Sequence, residues 1–241
     1  MGRADTATTN FMRQNDVFAD AFNFFLYQGR PVIDPGKLRE LDPAELAMPY
    51  GADKKSEPVQ KYRDILKGLA AMEDGERAYL LLGIENQTHV HYAAPVKGML
   101  YDALQYARQI EQTGRRHREK KEYGRSGSGE FLAGFYKEDW LIPVITLFIS
   151  FSPGEWEGPR SLWEMMKMED TELRSKLPDY RINLVSPAEL GKEEFRKFHS
   201  ALGDVLEFIK YSGDKEKLMN WLREEKPELT LGRREVEVLN A

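Results

Sequence analysis

One apolar segment constrains the fold of this 241-residue sequence more than any other. Residues 78–84 (AYLLLGI) form a continuous apolar run, and Glu85, Asn86 and Gln87 follow it directly. An unbroken run of this length is typical of a strand that lies in the centre of a sheet and is buried on both faces. The segment therefore predicts a central strand whose end becomes polar.

Periodic segments on both sides of this strand predict the remaining elements. Residues 11–26 and 94–112 repeat apolar side chains at helical spacing, whereas 142–151 and 180–185 are apolar strand segments. Residues 59–69, which contain Asp64, fit either a strand or a helix, and we interpret them as a strand. The shorter features are an extended segment at 32–41, a hairpin turn at 72–77 and a short helix at 162–168. This order predicts a mixed α/β core over residues 1–186 and a helical C-terminal extension over 187–241.

The composition excludes several classes of site. The chain has no cysteine, which excludes disulfides, a cysteine nucleophile and thiolate zinc ligands. The first 16 residues lack the apolar stretch of a secretory signal, and the most apolar run, residues 141–151, is too short to span a bilayer. We therefore expect a cytoplasmic protein without a membrane partner.

The charge pattern restricts contact with nucleic acid to a local surface. The net charge is −5, whereas proteins that bind nucleic acid mainly through their overall charge are usually basic. Residues 113–130 are basic and then Gly/Ser-rich, which predicts a flexible surface loop. The candidate phosphate contacts in it are Arg115, Arg116, Arg118, Lys120 and Lys121, and the alternative is a merely solvated loop.

Residue spacing indicates a candidate metal site. Residues i and i+2 of a strand face the same side, so Glu85 and Gln87 project together, on a face that Asp64 could reach from a neighbouring strand. Clustered carboxylates at a strand end bind divalent cations through oxygen, and Mg²⁺ prefers one or two of them. The alternative to a metal site is that these acids lie in solvent at the rim of the sheet and bind nothing.

A wider pattern around these residues resembles a known family. Ile84, Glu85, Gln87 and Thr88 at the end of an apolar strand are followed by a helix with Lys97 and Tyr101, and an Arg63-Asp64-Ile65-Leu66 segment precedes them. This arrangement is similar to that of the recombination-promoting nuclease (Rpn) family, whose members are also labelled transposases.

The resemblance implies a restriction-endonuclease-like fold of the PD-(D/E)XK superfamily, with a mixed sheet flanked by helices, and DNA cleavage that depends on Mg²⁺, with Mn²⁺ as the alternative ion. Asp64 and Glu85 would be the metal ligands, and Gln87 stands where the wider superfamily has a lysine. An amide cannot deprotonate water near pH 7, so Gln87 would position a water molecule instead. Lys97 would supply positive charge to the scissile phosphate. An acid of the first helix would complete the site, either Asp20, which we favour, or Asp16.

Other interpretations stay open. A nuclease-like scaffold that binds DNA or protein without cutting would carry the same pattern, as would a transposase that transfers strands. His89 and His91 could instead hold a transition metal, although two surface histidines in a turn fit equally. Relatives are expected to continue beyond residue 241, which suggests a C-terminally truncated chain.

Overall fold

The sheet is mixed and its longest strand is central. The computed structural model describes residues 3–40, 70–74, 77–121 and 128–240, and within them five strands form one sheet in the order β1-β2-β3-β4-β5. Pairing is antiparallel from β1 to β3 and parallel from β3 to β5. This confirms the α/β class and the predicted central strand. The strands are β1 (Leu38–Glu40), β2 (Ala70–Asp74), β3 (Arg77–Gln87), β4 (Val144–Ser150) and β5 (Asn183–Val185).

Helices precede, connect and follow the strands. One of them, α3, makes the crossover that the parallel pair β3/β4 requires. No helix of the described ranges is both long enough and apolar enough to cross a membrane. The helices are α1 (Arg3–Met12), α2 (Asn15–Tyr27), α3 (Ala94–Glu119), α4 (Ser128–Ala133), α5 (Thr171–Lys176), α6 (Lys192–Phe195), α7 (Ala201–Ser212), α8 (Lys215–Glu224) and α9 (Arg233–Leu239).

Helices α1, α2 and α7 cover one face of the sheet. Leu82 and Ile84 of β3 and Leu147 and Ile149 of β4 are at most 2% exposed and pack into the same apolar cluster as these helices. Alternation along the strands places these four side chains on one side. This face therefore carries the main core.

Helix α3 covers the opposite face. Phe148 of β4 is fully buried in a second cluster with Ala94 of α3. A Cβ placed on Gly98 would lie 3.1 Å from Phe148 Cε2 and 2.9 Å from Tyr180 Oη. Only a residue without a side chain allows α3 to approach the sheet this closely.

The main core extends across the predicted boundary at residue 186. The helical character predicted for residues 187–241 is confirmed by α6 to α9. However, Leu202 and Leu206 of α7 and Val238 of α9 are buried in the same cluster as Phe11 and Phe22. The C-terminal helices therefore share their core with the N-terminal ones.

The predicted single helix over residues 11–26 is wrong. The structure has two helices, α1 and α2, and Gln14 between them is extended, with ψ 127°. The break allows Phe11 and Val17 to be buried in one core although six positions separate them. Tertiary packing overrides the continuous helical periodicity here.

The predicted flexible loop over residues 113–130 is also wrong for the part that the structure describes. Helix α3 continues to Glu119 and α4 begins at Ser128, while residues 122–127 lie outside the described ranges. Arg, Glu and Lys are good helix formers, and Gly114 serves as a packing position, since a Cβ there would lie 2.9 Å from the Gly134 carbonyl oxygen. The sequence interpretation gave too much weight to charge and to this glycine.

The bounds of several shorter elements also differ from the predicted ones. Residues 72–74 continue β2, although the predicted hairpin with β3 exists, and Asp74 pairs with Arg77. The helix predicted at 162–168 is a single 3₁₀ turn at Trp163–Met165, and the strand predicted at 180–185 is limited to β5. In the segment 32–41, a 3₁₀ turn at Pro35–Lys37 precedes β1. The strand interpretation of residues 59–69 lies outside the described ranges.

Candidate functional site

The candidate site lies at the carboxyl end of β3. Glu85, Asn86 and Gln87 are its last residues and pair with Phe148, Ile149 and Ser150 of β4 in parallel register. Parallel strands end at the same edge of a sheet, and such edges are where open α/β sheets bind ligands. The strand position predicted for Glu85 and Gln87 is confirmed. The side chain of Glu85 and all of Asp64 lie outside what the structure describes.

Gln87 has a buried side chain with an unused donor. It is 5% exposed, and its Nε2 has no hydrogen-bond partner within the described part of the chain. Its main-chain carbonyl oxygen is occupied, since it accepts a hydrogen bond of 2.7 Å from Phe151 N. A buried amide that donates to nothing costs about 1–3 kcal/mol of stability. Within the described residues, this donor is therefore available to a bound ligand or water molecule.

Asn86 repeats this feature on the other face of the strand. It is also 5% exposed, and its Oδ1 has no partner among the described residues. Consecutive strand residues face opposite sides, so the end of β3 has one buried amide atom on each side of the sheet that pairs with no described residue. Sequence reasoning missed Asn86, although a third polar residue directly after an apolar strand was a usable signal.

The first turns of α3 carry a cation and pack on the sheet face that Gln87 shares. Gln87 shares its face with Ser150 and Phe148, which is the face that α3 covers. Lys97 is half-buried near the start of α3, with its Nζ 5.8 Å from the centroid of the Tyr101 ring. Burial, followed by the charge of Lys97, lowers the pKa of His91. The predicted Lys97 therefore lies on the helix that packs on the face of the sheet that Gln87 shares, and its charge helps to lower the pKa of His91.

A partly buried polar cluster fixes α3 at this position. Asp102 of α3 accepts hydrogen bonds of 2.7 Å from Thr146 Oγ1 and from Tyr180 Oη, one on each carboxylate oxygen. Burial, with the Asp102 charge as the next cause, raises the pKa of Tyr180. Sequence reasoning missed this link between α3, β4 and the segment before β5. Thr146 was the available signal, because it is a polar residue inside an apolar strand.

Asp20, predicted to assist the site, holds the start of α7. It is 5% exposed, and its carboxylate accepts hydrogen bonds from His199 N, Ser200 N and Ser200 Oγ at 2.7–3.0 Å. Both oxygens are used, and Ser200 is the N-cap residue of α7. The alternative acid, Asp16, is exposed in the first turn of α2.

The predicted phosphate-binding residues lie on the last turns of α3. All five are exposed, and Lys120 and Lys121 lie just beyond the helix. Arg115 forms a 3.0 Å ion pair with Glu111, and Arg116 lies 3.7 Å from Asp139. Cations at a helix C-terminus also interact favourably with the helix dipole, which is their structural role.

The two candidate histidine ligands lie in the segment between β3 and α3. The described residues contain no group of three His, Asp or Glu side chains placed to hold one ion. His89 Nδ1 hydrogen-bonds Thr88 Oγ1, and His91 Nδ1 accepts from Ala93 N, both at 3.2 Å. Each histidine is thus engaged by its own turn, which does not favour the transition-metal interpretation.

Comparisons with known proteins give no match: no protein-family model, no curated protein and no solved structure is similar to the chain.

Proposed function

We propose that the protein is a Mg²⁺-dependent DNA endonuclease with a restriction-endonuclease-like fold, and that Mn²⁺ can replace Mg²⁺. The observation that carries the proposal is the buried amide nitrogen of Gln87, which has no hydrogen-bond partner among the described residues and lies two residues after Glu85 at the carboxyl end of the central strand. The mixed sheet between helices supports the fold, and the resemblance to recombination-promoting nucleases supports the reaction class.

The residues at this strand end fit a hard divalent cation. Mg²⁺ takes one or two carboxylates and keeps several water molecules, which is what Glu85 and Asp64 would provide. A buried N–H donor beside such an ion suits a bound water or a phosphate oxygen, and Gln87 offers one. The bound cation would polarise the phosphodiester and make a coordinated water more acidic.

The other residues have supporting roles in this proposal. Gln87 orients the attacking water, because an amide cannot act as its base. Lys97 contributes positive charge next to the phosphate, and the Asp102 cluster holds its helix in place. We assign Asp20 to the scaffold, since both of its oxygens already hold α7.

A plasmid-nicking assay tests the proposal. Supercoiled plasmid is incubated with wild type, Asp64→Asn, Glu85→Gln and Gln87→Met in Mg²⁺ or Mn²⁺. Glu169→Gln is the matched control, since Glu169 is an exposed acid in the irregular segment before α5 and belongs to none of the candidate site residues. We expect the wild type and the control to nick equally, and the two acid variants to lose about 100-fold or more in rate.

Three results would contradict the proposal. Equal nicking by wild type and both acid variants would show that another site or a contaminant cuts. DNA binding without nicking in either metal would favour the non-catalytic scaffold. Donor and target joined to each other, rather than free ends, would favour strand transfer over hydrolysis.

A further inference from the structure

The segment between α4 and β4 is fastened along α3 at several points. Asp139 Oδ2 lies 2.8 Å from His117 Nε2 and also accepts a 2.6 Å hydrogen bond from Tyr136 N. The Gln109 side chain pairs with the main chain of Ile142 in both directions, at 2.6 and 2.9 Å. The backbone on both sides of residue 140 is therefore held against the helix.

Trp140 lies between these fastened points with its side chain in solvent. It is 87% exposed, whereas Trp156 and Trp221 are 6% and 2% exposed. Next to it, the ring of Tyr136 stacks on His117 with centroids 3.9 Å apart. A large aromatic side chain on a fixed backbone loses little conformational freedom when a ligand packs on it. Trp140 can therefore stack on a planar ligand at a small cost in conformational entropy.

The surface around Trp140 has excess positive charge. Residues 111–121 carry five cations (Arg115, Arg116, Arg118, Lys120, Lys121) against two acids (Glu111, Glu119). The 3.7 Å contact of Arg116 with Asp139 places this basic turn directly beside the Trp140 segment. Asp139 is already engaged by that contact and by His117 Nε2 at 2.8 Å. Lys120 and Lys121 are exposed and have room to reach an anion.

We propose that Trp140 and the basic end of α3 form a binding surface for single-stranded nucleic acid. An unpaired base stacks on the indole, and the adjoining phosphates meet Lys120 and Arg115. Sites for single strands combine an aromatic platform with flanking cations in this way, and they tolerate many sequences because every base has a stacking face. In duplex DNA the bases are already stacked and cannot cover Trp140.

A flexible single strand of nucleic acid fits this surface better than an anionic membrane does. Glu119 and Glu138 lie among the cations, and a flat bilayer would meet all of these charges together. A single strand can follow the cations and avoid the acids. The proposed contacts to single-stranded nucleic acid need no metal ion. The inference is therefore independent of whether the candidate site at the end of β3 cleaves DNA.

Fluorescence anisotropy in EDTA tests the inference without cleavage. The probes are a labelled thymidine oligomer of about 12 nucleotides and a duplex of the same length. We expect the wild type to bind the oligomer more tightly than the duplex, and Trp140→Ala to weaken oligomer binding about tenfold. Trp140→Phe should retain most of the affinity because its ring still stacks. Leu173→Ala, which removes another exposed apolar side chain (52%), should change nothing.

The salt dependence tests the cations separately. Lys120→Gln should flatten the dependence of oligomer affinity on salt concentration, whereas the control Lys215→Gln on α8 should not. The inference is overturned if Trp140→Ala binds the oligomer like wild type, or if wild type prefers the duplex. It is also overturned if phosphatidylserine vesicles bind through Trp140 while the oligomer does not bind. Because EDTA removes the metal, a chain that fails to nick plasmid can still give the expected result here.

Discussion

At the residue scale, two buried polar side chains of this protein differ in whether their hydrogen bonds are satisfied. Asp20 uses both carboxylate oxygens to hold the main chain before α7. Gln87 is equally buried, yet its amide nitrogen donates to no described residue. Natural proteins keep such unsatisfied groups mostly where function requires them. Asp20 therefore has a structural role, and Gln87 is the residue to which the proposed function gives a binding role.

Replacing Asp20 by Asn should destabilise the fold strongly. The amide would turn a donor toward the N–H groups of His199 and Ser200, which already need acceptors. We expect the free energy of unfolding, measured in urea, to fall by about 2–3 kcal/mol. Asp16→Asn, on the exposed side of the same helix, should change it by less than about 0.5 kcal/mol. A stable Asp20→Asn protein that no longer nicks DNA would instead place Asp20 in the reacting site.

Replacing Gln87 by Met should raise stability while it lowers nicking. Met has a similar length but no polar atom to leave unpaired, so we expect about 1 kcal/mol of stabilisation. Gln109→Met is the matched comparison, because Gln109 pairs fully with Ile142, and it should lose about 1–3 kcal/mol. If both variants lose stability equally, Gln87 is an ordinary structural amide.

At the element scale, the position of α3 decides which residues face the strand ends. The helix is fixed near its start by Gly98 and Asp102, and near its end by Gly114 and His117. The carboxylate of Asp102 connects it to both β4 and Tyr180. These contacts align Lys97 and the basic end of α3 on a single rigid element.

Tyr180→Phe should reveal this link through the pH dependence of stability. Burial and Asp102 raise the pKa of Tyr180 in the folded protein, whereas an unfolded tyrosine ionises near pH 10. The native state therefore binds more protons than the unfolded state above pH 10, and wild-type stability falls as the pH rises further. We expect Tyr180→Phe to have a lower free energy of unfolding than wild type at pH 8. The difference between the two proteins should become smaller above pH 10. Urea unfolding at pH 8 and above pH 10 measures this difference.

The control for this experiment is Tyr92→Phe, because Tyr92 is 63% exposed. Its stability relative to wild type should be the same at both pH values. A gap between wild type and Tyr180→Phe that stays constant above pH 10 would show that Tyr180 ionises normally in the folded state.

At the scale of the whole molecule, the sequence predicted the class of fold better than its connections. Residues 78–84 and 142–151 were sufficient for two neighbouring buried strands, because apolar runs of strand length have few other uses. The break at Gln14 goes with the burial of Phe11 and Val17 in one core, and the end of α3 packs on Gly134 and Asp139. Local periodicity indicates neither of these tertiary contacts. Glu85 and Gln87 could be predicted from spacing, whereas the Asp102 cluster joins residues up to 78 positions apart.

The shared core predicts that the described part of the chain unfolds as one unit. Val238 of α9 is 7% exposed and packs in the same cluster as the N-terminal helices. Val238→Ala should lower the unfolding free energy by about 2 kcal/mol, and Val236→Ala, 41% exposed on the same helix, by less than about 0.5 kcal/mol. Circular dichroism and tryptophan fluorescence should report one coincident transition for each variant. Two separated transitions, with only one shifted by Val238→Ala, would make residues 187–241 an independent unit.

Direct measurement of metal binding tests the central claim that the end of β3 holds a divalent cation. Mn²⁺ is titrated into wild type, Glu85→Gln and the control Glu169→Gln, and the free ion is followed by its electron paramagnetic resonance signal. We predict that wild type and control bind one ion alike and that Glu85→Gln binds it about tenfold more weakly or worse, a loss of about 1.4 kcal/mol or more. Equal binding by wild type and Glu85→Gln would contradict a metal site at this strand end.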